Sequence, residues 1–298
     1  MPPTPTPPLL PRVVAGVMRW GEWGVDLDTL ALRTLIEGCL AGGVTAFDHA
    51  DIYGHYSEEA RFGRVLAEAP SLRDRMTLVT KCGIRMLTER RPAHRLKSYD
   101  SGRAHIVASA DASLRALHTD RLDVLLLHRP DLLLDADEAA EAFRELRDAG
   151  KVLHFGVSNF TPSQFALLHD RWPELATNQV ELSLTHLDPL TDGTLDQAQR
   201  LRRPPMIWSP LGGGGGLLDT AGPHPTLAAK LAEVAARLGT QPDVLAYAFV
   251  LRHPSCPSVV TGSSRLERIL RAQRAAELDL DRETWYELLE AARGHEVA

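Results

Sequence analysis

The sequence predicts an α/β fold, a single (β/α)8 TIM barrel with one extra helix at its C-terminal end. Two observations point there. Short apolar runs rich in β-branched residues alternate with longer helical patterns roughly eight times, the count a closed barrel requires. Polar, titratable residues stand at the ends of successive strands, which is where such a barrel builds its sites. Spacing alone does not exclude an open doubly wound sheet. The glycine fingerprint of a dinucleotide-binding open sheet is missing, because the run 212–216 passes into Leu217 without completing GxGxxG.

The elements follow in order. A first strand is expected over 13–17, then a helix over 28–41 with Asp28 as its cap and Gly42-Gly43 as its stop. A second strand over 45–48 precedes a helix near 57–68. A third strand covers 76–81, and a long polar loop leads to a helix near 104–118. The strand over 122–128 is almost continuously apolar, as expected when both faces are buried. A helix over 136–149 is closed by Gly150. A strand over 152–157 leads to a helix over 162–170, opened by Thr161-Pro162. Strands over 176–182 and 206–208 bracket a helix over 194–202. Helices near 226–238 and 242–251 precede the last strand, 258–261, and a helix from 264 to about 277. Residues 281–292 form the extra amphipathic helix.

Composition narrows the functional classes. The 298 residues are 44% hydrophobic and 24% charged, ordinary for a soluble domain with a full core. Residues 12–298 read as one domain without a linker. Residues 1–11 read as a flexible lead-in, with five prolines in the first eight positions. The net charge of -6 argues against a nucleic-acid partner, and the basic stretch 85–97 reads as a solvated loop. No apolar run approaches the ~20 residues needed to span a bilayer, and no signal peptide is evident. Cys39, Cys82 and Cys256 are isolated, which fits a reducing cytoplasm. No metal is expected, and the oligomeric state cannot be read.

The strand ends carry the chemistry. Asp48 ends the second strand, Tyr53 follows in the loop, Lys81 ends the third strand and His128 the fourth. A phenol ordinarily titrates near ~10, and a neighbouring ammonium should lower that value. Asp48 would hold the lysine, and His128 would orient a carbonyl. Tyr53 would then give a proton to an oxygen that becomes alkoxide-like. Taken singly, each residue has an ordinary role as cap, packing residue or surface charge. Their order at successive strand ends favours a shared site.

Four segments now carry a resemblance. Phe47-Asp48-His49-Ala50-Asp51-Ile52-Tyr53-Gly54, Val79-Thr80-Lys81-Cys82-Gly83, Leu127-His128-Arg129-Pro130 and the run from Gly150 to Phe160 together resemble the aldo-keto reductase family. The match spans about 14 to 273 and is nearest the bacterial oxidoreductase branch with His-Ala-Asp after the aspartate. It implies NADPH (NADP+) as cofactor and Tyr53 as the acid for reducing small aldehydes or ketones.

The resemblance also implies a cofactor groove. Ser158, Asn159 and Gln179 would bind the nicotinamide carboxamide, and Trp208 would stack on its ring. Ser209, Pro210, Leu211, Gly212 and Gly213 would cover the pyrophosphate, with Met18, Arg19 and Trp20 close to the cofactor. Gly262, Ser263 and Ser264 would present helix N–H groups to a phosphate. Arg265 and Arg268 would grip the 2′-phosphate. Gly262 stands where the family often has lysine and Ala272 where it often has asparagine, with Gln273 as the nearest substitute. Trp20, Trp23 and Tyr56 would form an aromatic rim for a small carbonyl substrate. The alternative is a nicotinamide-binding regulatory or redox-sensing barrel with little turnover.

Overall fold

Eight parallel strands close on themselves in the computed structural model, which describes residues 9–213 and 216–298. They are β1 (Val13–Gly16), β2 (Ala46–Asp48), β3 (Thr77–Cys82), β4 (Leu122–Leu127), β5 (Val152–Ser158), β6 (Asn178–Glu181), β7 (Met206–Trp208) and β8 (Ser258–Thr261). Each pairs with the next in sequence, and β8 returns to β1 through Val14↔Val260. The open-sheet alternative is therefore ruled out. The described residues include no helix long and apolar enough to cross a membrane.

The helices cover the outside of the barrel. They are α1 (Thr29–Ala41), α2 (Glu58–Glu68), α3 (Arg103–Ala116), α4 (Ala136–Asp148), α5 (Pro162–His169), α6 (Thr194–Leu201), α7 (Pro225–Arg237), α8 (Pro242–Leu251), α9 (Leu266–Glu277) and α10 (Arg282–Arg293). Their starts obey local rules. The Asp28 carboxylate accepts from the Ala31 N–H at 2.8 Å, and Thr161 forms a capping box with Gln164. Along α1, Leu32, Leu35, Ile36, Cys39 and Leu40 turn inward at helical spacing. Two short strands, Ile84–Arg85 and Ser98–Tyr99, pair antiparallel within the long loop after β3, a ribbon the polar composition did not announce.

The barrel interior positions the site. Val14, Ala46, Val79, Val124, Leu126, Met206 and Val260 pack together inside it, and Leu10 joins them. Strand side chains repeat every second residue on one face. One step beyond this layer on β2, β3, β4 and β7, the inward positions become Asp48, Lys81, His128 and Trp208. The apolar layer thus forms a dry floor, and the chemistry sits on it. Leu10 belongs to this packed layer, so the lead-in expected over 1–11 already contributes to the core at Leu10. Residues 1–8, and Gly214 and Gly215 of the glycine run, lie outside the described residues.

Candidate active site

Asp48, Tyr53, Lys81 and His128 converge at the C-terminal mouth. Lys81 has no solvent-accessible surface, and its ammonium donates to three oxygens. These are Asp48 Oδ2 at 2.8 Å, the His49 carbonyl at 2.7 Å and Tyr53 Oη at 3.0 Å. All three ammonium protons are thereby used. Because Tyr53 Oη accepts from Lys81, its own proton is free to be donated elsewhere. His128 is anchored by its backbone N–H to the Cys82 carbonyl at 2.8 Å. Its ring stands edge-on to Tyr53, with centroids 6.0 Å apart.

Electrostatics refine the expected roles. Burial lifts the Tyr53 phenol above its ordinary value, and the charge and hydrogen bond of Lys81 only partly offset this. The expected lowering is corrected: desolvation outweighs the ammonium, so the phenol stays protonated at neutral pH. His128 is held well below its ordinary value, first by burial and then by Lys81, Arg129 and Lys97. It is a neutral imidazole, able to donate or accept but carrying no charge.

Tyr53 is placed by unusual backbone. Gly54, His55 and Tyr56 all have left-handed φ, at 55°, 54° and 71°. Two of the three are not glycine, so the turn is strained and must be held by its surroundings. Arg90 holds it, donating to the Gly54 carbonyl at 3.2 Å and to Glu22 Oε2 at 2.9 Å. Glu22 Oε1 in turn lies 3.0 Å from His55 Nδ1. Arg90 therefore ties the long loop down beside the mouth while staying largely exposed, in keeping with the solvated loop expected for the basic stretch. Trp23 packs 6.0 Å from the Tyr53 ring, and the half-buried Tyr56 donates to the Ile84 carbonyl. Both stand beside the mouth.

A second group of side chains lies across the barrel from Tyr53. Trp208, half-buried at the end of β7, donates its indole N–H to Asn159 Oδ1 at 2.9 Å. Asn159 Nδ2 donates to Ser158 Oγ at 2.8 Å, and Ser158 Oγ donates to the Gln179 carbonyl at 3.0 Å. Gln179 Nε2 donates to Asp48 Oδ1 at 2.9 Å, linking this group to the lysine cluster. After Trp208, Ser209 and Gly212 close a turn, with the Gly212 N–H donating to the Ser209 carbonyl at 2.8 Å. Pro210 is buried, Leu211 is half-buried and Gly213 is exposed. Met18 and Arg19 are exposed just past β1. A Cβ at Gly262 would meet nothing within 4 Å. Ser263 Oγ accepts from the Arg265 N–H, and Ser264 is half-buried beside it. Arg265 and Arg268 are exposed, without an ion-pair partner among the described residues.

Against known proteins, the aldo/keto reductase family model matches residues 12–293. The chain belongs to the aldo-keto reductase family. It is 48% identical to the oxidoreductase YdhF of Escherichia coli (strain K12), over 98% of this chain and 97% of that one. It is 43% identical to a 6-dehydroglucose reductase of Agrobacterium fabrum, over 97% and 96% of the two chains. Among solved structures, a glycerol dehydrogenase from Gluconobacter oxydans superposes with TM-score 0.83 at 24% identity, covering 99% of this chain and 94% of that one. That likeness supports the barrel.

Two expected site residues of this aldo-keto reductase fall elsewhere. Trp20 has no exposed surface, so it forms no part of a rim and cannot touch a cofactor. Its indole donates to the Ser263 carbonyl at 2.9 Å and packs edge-on against Phe47, which fixes the loop behind the mouth. Gln273 lies toward the opposite end of the barrel. Helix α9 carries it away from the mouth, and its amide approaches the Gly42-Gly43 turn beside Pro11 and Val13. Ala272 is fully buried. Helix α9 itself begins at Leu266, two residues after the expected start, because Ser263 caps the preceding turn. Glu22, His55 and Arg90 were missed: nothing local in the sequence signals pairing across separate loops.

Proposed function

We propose that this aldo-keto reductase uses NADPH to reduce small aldehydes or ketones to alcohols, with Tyr53 as the proton donor. The observation that carries the reading is the Lys81 ammonium bridging Asp48 and Tyr53 Oη in a fully buried position. Such a bridge orders the phenol without deprotonating it.

The residues present fit the cofactor. Asn159 Nδ2 keeps one proton beyond its bond to Ser158, and Gln179 Oε1 keeps its lone pairs. One free donor beside one free acceptor matches a carboxamide, and the Trp208 indole offers a flat apolar face beside them. Ser158 orients Asn159. Met18, Arg19, Ser209, Pro210, Leu211, Gly212 and Gly213 would flank the remainder. Gly262, Ser263, Ser264, Arg265 and Arg268 would receive the adenosine phosphate. When bound, the cofactor supplies the hydride. Tyr53 Oη protonates the carbonyl oxygen, and Lys81 stabilises the phenolate left behind. Neutral His128 directs the carbonyl oxygen toward Tyr53.

Trp23 and Tyr56 would wall the substrate side. The Agrobacterium relative is called a 6-dehydroglucose reductase, so sugar-derived aldehydes belong first among the candidates. The unpaired state of Cys39, Cys82 and Cys256 is in keeping with a cytoplasmic setting. The test is a panel of aldehydes, ketones and alcohols run with NADPH and NADH. The proposal expects NADPH oxidation with several aldehydes and quenching of tryptophan fluorescence as NADPH is titrated. NADPH binding without turnover on any carbonyl would favour the regulatory alternative.

A further inference from the structure

Arg129 follows His128 at the end of β4, yet its guanidinium carbon lies 5.8 Å from the centre of the Trp208 ring at the end of β7. Strands β5 and β6 stand between β4 and β7 in the barrel. The two side chains therefore approach each other over the end of β5, where the Trp208 indole already reaches Asn159. Among the described residues, no carboxylate pairs with it. Asp131, two residues on, is engaged by the backbone N–H groups of Ser101 and Leu133, both at 2.9 Å. Lys81 is different, since Asp48 balances it at 2.8 Å. Arg129 thus brings an unbalanced positive charge to the mouth, close to the Trp208 ring.

We infer that Arg129 makes this site select the reduced nicotinamide cofactor over the oxidised one. The inference rests on the reading that a nicotinamide ring lies on Trp208. In reduction the carbonyl carbon gains a hydride and its oxygen gains a proton from Tyr53. The products are an alcohol and a nicotinamide ring that has become a cation. That cation would lie against the Trp208 ring, near which Arg129 already stands. The neutral dihydronicotinamide escapes this like-charge repulsion, which is strong in a mouth only partly open to water. NADP+ should therefore bind more weakly and leave sooner, clearing the site for NADPH. The phosphates and adenosine are common to both forms, so any contact to them cancels in the comparison.

The test titrates NADPH and NADP+ separately into wild type, Arg129→Met and Arg129→Lys by calorimetry, at low and high salt. Circular dichroism checks that each variant is folded. The expected result is a wild-type Kd for NADP+ about tenfold or more above that for NADPH, narrowing with salt. The ratio should collapse toward unity in Arg129→Met and persist in Arg129→Lys. An unchanged ratio in Arg129→Met, or equal weakening of both nucleotides, overturns the inference while leaving the reductase reading intact. Loss of the ratio in Arg129→Lys overturns the role of charge. Failure of wild type to bind either nucleotide overturns the reductase reading and this inference together.

Discussion

Lys81 is fully buried, and all three of its protons are committed, one of them to the carboxylate of Asp48. Removing it leaves a buried carboxylate without its counter-charge, which is far costlier than losing a neutral hydrogen bond. Lys81→Met should therefore lose about 3 kcal/mol of stability or more. Tyr53→Phe should lose less, about 1.5 to 3 kcal/mol, because the buried ammonium is left with one unpaired proton but keeps its counter-charge in Asp48. Urea unfolding of both variants checks the order, and equal losses would contradict the ion-pair geometry. Asp48, Lys81 and His128 were legible in the sequence because each is a polar residue at, or one position from, the end of a largely apolar strand. Trp20 was misread because an aromatic beside a predicted mouth looks the same whether its face is open or tucked behind a loop. The hydrogen bond from Trp20 to Ser263 spans almost the whole chain, and no local pattern reports it.

At the level of elements, Glu58 opens α2 with its carboxyl buried and both oxygens lacking a hydrogen-bond partner. It fills the space beside Gly21, where any Cβ would collide with its carboxylate. Burial raises it from an ordinary 4.5 to about 7, with Arg61 opposing only in part. Below the ordinary value the group is protonated in the folded and unfolded chains alike. Between 4.5 and about 7 only the folded chain keeps the proton. The stability this contributes is present at low pH and lost as pH rises through about 7. Glu58→Gln, which mimics the protonated form, should raise stability at pH 8 by about 2 kcal/mol and change little near pH 4. Thermal unfolding at the two pH values measures this, and a gain that is the same at both would contradict it. Element positions were the most legible feature of the sequence, with β7, β8 and α8 matching the expected bounds. The start of α9 was less so, because the Ser263 hydroxyl satisfies the Arg265 N–H before the helix begins. The left-handed turn at Gly54-His55-Tyr56 was hidden, since two of its residues rarely adopt that backbone unaided.

At the scale of the molecule, the barrel converts a period-two strand pattern into two layers. The lower layer is apolar, from Val14 to Val260, and the upper layer carries Asp48, Lys81, His128 and Trp208. Strand order in the sequence becomes angular order around the mouth, so the lysine cluster and the Trp208 face meet without a second domain. Gln179, bonded to Asp48, joins the two halves. This architecture could be read from the alternation of elements, but the ties between loops beside the mouth could not, because they join residues distant in sequence. The central claim is that Tyr53 donates the proton in NADPH-dependent carbonyl reduction. It is tested most directly by steady-state reduction of an aldehyde found active in wild type, repeated with Tyr53→Phe, beside a titration of NADPH into both proteins. The predicted result is a fall in turnover of about 100-fold or more with unchanged NADPH affinity. Near-normal turnover in Tyr53→Phe would contradict it.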